Sequence, residues 1–87
     1  MFKLGQTVIT RNAMSVCAEF NIDPIVMLAR HSRRDWGDLD KEDKLLNDLA
    51  LKQGDRLLSK YVYSKQSFYV ITEYDRSITT VMMCSDY

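Results

Sequence analysis

Arg56-Leu-Leu-Ser-Lys-Tyr-Val-Tyr-Ser-Lys-Gln-Ser-Phe-Tyr-Val-Ile-Thr-Glu-Tyr-Asp-Arg-Ser-Ile-Thr-Thr-Val-Met-Met83 is the stretch whose reading decides the fold. It holds three β-prone runs, Leu57–Tyr63, Phe68–Thr72 and Ile78–Met83, rich in β-branched and aromatic residues. The spacers Ser64–Ser67 and Tyr74–Ser77 are of hairpin length, so consecutive antiparallel pairing is the economical solution. The stretch predicts a three-stranded antiparallel β-meander with one face lying on helices.

Upstream, the pattern changes from strand to helix. Leu45, Leu46, Leu49 and Ala50 predict a helix that starts near Asp40, with Asp43 three residues on, and stops at Gly54. Asp23-Pro24 opens another, because Asp accepts from the first free amides and Pro is tolerated at the first helical position. Its inward residues are expected to be Ile25, Leu28 and Ala29. A further helix follows Thr10 or Asn12 as cap, with Ala13, Val16, Cys17 and Phe20 on one stripe and Asn21 as its stop. Gln6–Thr10 is a candidate short strand. The expected fold is therefore α+β, with two to three N-terminal helices packed on a C-terminal three-stranded antiparallel meander, all in one domain over residues 1–87.

With 46% hydrophobic and 28% charged residues, the 87-residue chain has the composition of a folded globular protein. No apolar stretch approaches the length of a membrane span, and Met1-Phe-Lys-Leu lacks an apolar leader behind it, so a cytoplasmic location is expected. Cys17 and Cys84 each sit among apolar neighbours and are expected to be buried free thiols. The net charge is zero but unevenly spread: about +3 over residues 1–34, −4 over 35–55 and +1 over 56–87. That balance excludes a protein held to duplex nucleic acid mainly by net charge, and also a wholly acidic mimic of it.

Candidate chemistry concentrates in two places. Asp35, Asp38, Asp40, Glu42 and Asp43 form the densest acidic run, but it fails the EF-hand pattern whether the loop starts at Asp35 or at Asp38, and acids ahead of a helix stabilise its positive end without a ligand. His31 is the sole histidine, with no paired spacing to suggest zinc. Arg30, His31, Arg33 and Arg34 fit the negative end of a helix and can pair with the acidic loop after it. Trp36 reads first as a core plug that pins its loop and second as a binding anchor. Tyr61, Tyr63, Tyr69 and Tyr74 read as sheet residues ahead of a base-stacking platform. In Tyr74–Thr80, Asp75 can accept backbone amides, and Arg76 can pair with Glu73 or Asp75. Asn47 and Arg56, if inward, would join a buried polar network. With three glycines in the chain there is no phosphate loop. No cofactor, metal or catalytic group is expected.

Several strings together resemble a family of small accessory proteins of bacterial plasmids, integrative elements and phages. They are Leu28-Ala-Arg-His31, Asp35-Trp-Gly-Asp-Leu39, Glu42-Asp43 with Asn47-Asp48, Arg56-Leu-Leu-Ser59 with Tyr61, and Ile71-Thr-Glu-Tyr-Asp-Arg-Ser77 with Thr79-Thr80. The resemblance runs from Gly5 to Tyr87. Met83-Cys84 departs from it, standing where an apolar residue and a proline are expected, which bears only on how the last strand ends. It implies a genomic setting in which small proteins counteract host defences, including CRISPR and restriction systems, or serve element maintenance.

The expected function is accordingly a non-enzymatic mobile-element protein that binds and inhibits a host defence protein or nucleoprotein complex, of anti-CRISPR or anti-restriction type. The expected contact residues are Arg30, His31, Arg33, Arg34, Asp35, Trp36, Asp38, Asp40, Asp43, Asp75 and Arg76. The alternative is a nucleic-acid-binding regulator of the element using Arg11, Arg30, Arg33 and Arg34. Least favoured is a small hydrolytic enzyme using His31.

Overall fold

Each helix begins and ends where its caps dictate. In the computed structural model, which describes residues 1–87, strand β1 (Gln6–Ile9) leads into helix α1 (Arg11–Phe20). Thr10 Oγ1 caps α1 by accepting from the Ala13 amide at 3.1 Å, and Asn21 closes it at φ 56°. Helix α2 (Pro24–Ser32) is capped by Asp23, whose carboxylate accepts from the Ile25 amide at 2.9 Å. Helix α3 (Lys41–Gln53) is capped by Asp40 through the Asp43 amide at 2.9 Å and ends at Gly54 with φ 75°. Glu42 and Asp43 in its first turn and Lys52 in its last complement the helix dipole.

Strands β2 (Leu57–Tyr63), β3 (Gln66–Thr72) and β4 (Ile78–Met83) pair antiparallel in sequence order. The class is α+β, but the sheet is not a three-stranded antiparallel meander. It has four strands in the order β1-β4-β3-β2 and is mixed, because β1 pairs parallel to β4 from Gln6↔Ile78 to Ile9↔Val81. The partner of β1 lies near the other end of the chain, and no local spacing encodes such a pairing. The expected four-residue spacer Ser64–Ser67 is a two-residue turn, with Ser64 and Lys65 at φ 51° and 63°. Two consecutive positive φ values match the twist of the flanking strands, so Gln66 and Ser67 join β3.

Register sorts the strands into two faces. Leu57, Ser59, Tyr61, Phe68, Val70, Thr72, Thr79, Val81 and Met83 share one face, and all are buried. Ala13 and Cys17 of α1 and Met27 of α2 join Tyr61, Phe68, Val70, Val81 and Met83 in the core on that side. Over the opposite face Tyr87 returns, edge-on to Tyr69 with ring centroids 5.6 Å apart and hydrogen-bonded to Arg56. A short 3-10 turn, Cys84–Asp86, sets up that return. Asp86 accepts from Thr10 Oγ1 at 2.9 Å and from Asn12 Nδ2 at 3.1 Å.

Ala13, Val16 and Cys17 of α1 and Leu28 of α2 pack on the core as expected, but the other expected stripe residues depart from it. On α2 the buried pair is Met27 and His31, at i and i+4, which turns Ile25 outward at 69% exposure. Phe20 lies at the end of α1, half out of the core. Leu45, Leu46 and Leu49 of α3 are 68%, 56% and 49% exposed, and the one buried residue of that helix is Asn47. The reason is what α3 packs against. Its neighbour is the backbone edge of β2, which demands hydrogen bonds rather than apolar cover. No helix is long and apolar enough to cross a membrane.

Candidate functional site

His31 is fully buried against the end of the sheet where β2 and β4 begin and β3 finishes. Its Nδ1 lies 2.5 Å from Ser59 Oγ and its Nε2 2.9 Å from Thr72 Oγ1. Thr72 Oγ1 lies 2.7 Å from Thr79 Oγ1, which donates to the Leu4 carbonyl at 2.6 Å. That last bond orders the whole chain of protons. Thr79 has spent its hydrogen on Leu4, so it accepts from Thr72; Thr72 then accepts from His31 Nε2–H, and Nδ1 accepts from Ser59. His31 is the neutral Nε2–H tautomer. Burial, with help from the charge of Arg76, pushes its pKa down to about 4. Phe2 and Trp36 close over the ring edge-on, with centroids 5.2 and 5.7 Å away. Both nitrogens are occupied and no atom reaches solvent, so His31 is not presented to a substrate or a metal.

The acidic loop is likewise bound into the fold. Strand β2 is an edge strand, and edges invite pairing with other chains unless covered. Asn47 covers Leu58, donating to its carbonyl at 2.5 Å and accepting from its amide at 3.1 Å. The Trp36 carbonyl accepts from the Lys60 amide at 3.1 Å, the Asp38 amide donates to the Lys60 carbonyl at 2.7 Å, and the Asp38 carboxylate accepts from the Val62 amide at 3.1 Å. Between them Gly37 sits at φ 75°, where a Cβ would lie 2.0 Å from the Lys60 carbonyl oxygen. Only glycine allows the loop this close. Trp36 is 4% exposed and donates its indole N–H to Asp48 at 3.0 Å, so it plugs the core and ties α3 down.

Arg30 forms the one ion pair, with Asp35 at 2.6 Å. It also donates to Tyr63 Oη at 2.9 Å and stacks over the Tyr61 ring at 4.5 Å. The Arg30 hydrogen bond holds the Asp35 carboxyl below its ordinary pKa. Asp75 accepts from the Ser77 amide at 3.0 Å inside its turn. Arg76 donates to the carbonyls of Asp55, Glu73 and Tyr74 at 2.7, 3.2 and 3.3 Å and lies over Phe2 at 6.0 Å. The two polar loops thus reach the same end of the sheet, with Phe2 between them. Tyr61 and Tyr69 point to opposite faces and Tyr74 sits in a turn, so the tyrosines make no common platform. Cys17 is buried and Cys84 half-buried; both are free, and burial raises both thiol pKa values. No three of the His, Cys, Asp and Glu side chains gather where they could hold a metal ion.

Of the expected contact residues, Arg33, Arg34, Asp43 and Asp75 are exposed, as are the half-used Asp35, Asp38 and Asp40. Arg33 and Arg34 line a cleft of about 520 Å³ with Asp48, Leu51 and Lys52, which brings three cations together against one carboxylate. Lys52 is the member that the spacing of charges does not reveal, since it lies on another helix. A second cleft, about 250 Å³, separates α3 from the open face of the sheet and is lined by Leu39, Asp43, Leu46, Asn47, Leu58 and Tyr69. The signal for this apolar side was present in Asn47, a polar residue set among the leucines. The chain matches no protein-family model, no curated protein and no solved structure.

Proposed function

We propose that this protein is a non-enzymatic, cytoplasmic accessory protein of a mobile genetic element that binds a host defence protein or nucleoprotein complex and inhibits it. The observation that carries the reading is a division of labour. His31, the candidate base, is sealed with both ring nitrogens engaged, whereas Arg33, Arg34 and Lys52 are exposed around a cleft that Leu51 also lines. Charge flanking an apolar patch is the make-up of a protein interface. The resemblance to plasmid, integrative-element and phage proteins supplies the setting. Asp38 and Asp40 are poor probes of this surface, because they cover the β2 edge and cap α3. Arg33 and Arg34 are better ones.

The test is transformation or phage infection of hosts carrying CRISPR or restriction systems, with and without the protein. Protection is expected against at least one system, lowered roughly tenfold by Arg33→Glu with Arg34→Glu. No protection in any of them, with no complex on co-purification with their effectors, overturns the proposal. The three cations of the cleft favour a second reading, a nucleic-acid-binding regulator. Arg11 is not part of that cleft and Arg30 is spent on Asp35, so its contacts would be fewer than the four arginines expected. A low-salt mobility shift abolished by the same double substitution would favour it.

A further inference from the structure

We infer that the exposed face of α3 is a self-association surface on which a second copy of this chain docks, helix against helix and antiparallel. Glu42, Leu45, Leu49 and Lys52 fall at i, i+3, i+7 and i+10, one stripe on the side of α3 opposite the buried Asn47. All four are exposed. The order of the stripe is what selects the partner. Acid, leucine, leucine, base is complementary to itself when reversed: about a twofold axis near Asn47, Leu45 of each copy faces Leu49 of the other, and Glu42 faces Lys52. A parallel arrangement would set like against like at both ends.

The contact also aligns the helices with opposed dipoles, and it brings Glu42 of the second copy towards the cleft that Lys52 shares with Arg33 and Arg34. Leu46 lies beside the stripe and lines the second cleft with Leu39, Asp43, Asn47, Leu58 and Tyr69, which extends the covered area onto the sheet. One helix pair with this margin falls in the small class of interfaces, so association in roughly the micromolar range is expected. Such a dimer covers the leucines of α3 and leaves Arg33 and Arg34 at its margin as the contacts for a host molecule, and its test reads mass rather than inhibition.

The experiment is sedimentation velocity over rising protein concentration, from low micromolar upward. The mass is expected to climb from 10.2 kDa towards twice that value. Leu49→Asp should leave a monomer with an unchanged circular dichroism spectrum, since the residue lies outside the hydrophobic core. Glu42→Lys and Lys52→Glu should each weaken association roughly tenfold alone, and a mixture of the two should associate again, because each supplies the charge the other lacks. A 10.2 kDa species at every concentration overturns the inference. So does self-association that survives Leu49→Asp, or a mixture of the charge variants that stays monomeric.

Discussion

A proton added to His31 would have nowhere to go. Its Nδ1 already faces the Ser59 hydroxyl as acceptor, and the ring is enclosed by Phe2 and Trp36. The folded pKa of about 4 lies below the ordinary 6.5, so the unfolded chain takes up the proton first. Stability is therefore intact above pH 6.5 and declines as pH falls towards 4, where it levels off. The loss amounts to about 3 kcal/mol. Urea unfolding across this window should show it, and His31→Gln should remove that slope. Asp35, lowered by its bond to Arg30, acts in the same sense below its ordinary value of 3.8 but is half exposed and contributes less. The sequence marked His31 as the sole histidine and as a possible base. Its actual role was written in Ser59, Thr72 and Thr79, polar residues at inward strand positions, and which face of a strand is inward depends on pairing.

At the scale of elements, the β2 edge of the sheet is covered by other parts of the chain. Along β2, the outward groups of Leu58 and Lys60 and the amide of Val62 are occupied by Asn47, Trp36 and Asp38. The acidic loop and α3 therefore act as one cover, which explains why α3 offers an asparagine to the protein and its leucines to solvent. Replacing Asn47 with leucine leaves the Leu58 amide and carbonyl without partners. It should lower stability by about 1–3 kcal/mol, read as a fall in the urea midpoint, and light scattering should rise as the bared edge pairs between molecules. Helix boundaries were legible in the sequence: Thr10, Asp23, Asp40 and Gly54 stand where they were expected, because a cap acts over three or four residues. The orientation of α3 was not legible. Four apolar residues at helical spacing look the same whether they meet a core or a second molecule.

Across the whole molecule, residues 1–5 and β1 lock the polar network from outside. Leu4 accepts the last proton of the chain, Phe2 covers His31 and stacks on Trp36 at 6.2 Å, and β1 closes the sheet against β4. Removing residues 1–4 should let water reach the imidazole, raising the pKa of His31 from about 4 towards 6.5 and flattening the pH dependence of stability. Titration of the imidazole by NMR measures this directly; a value that stays near 4 would place the burial entirely within α2 and the sheet. The sequence by itself determined the α+β class, the starts and stops of three helices and the three β-prone runs, since propensities, caps and tight turns act between residues close along the chain. Only the tertiary structure decided that β1 joins the sheet in parallel, that His31 and the acidic loop serve the fold, and that the leucines of α3 are left uncovered. Those outcomes turn on which buried groups and edge amides, far apart in the chain, must satisfy one another.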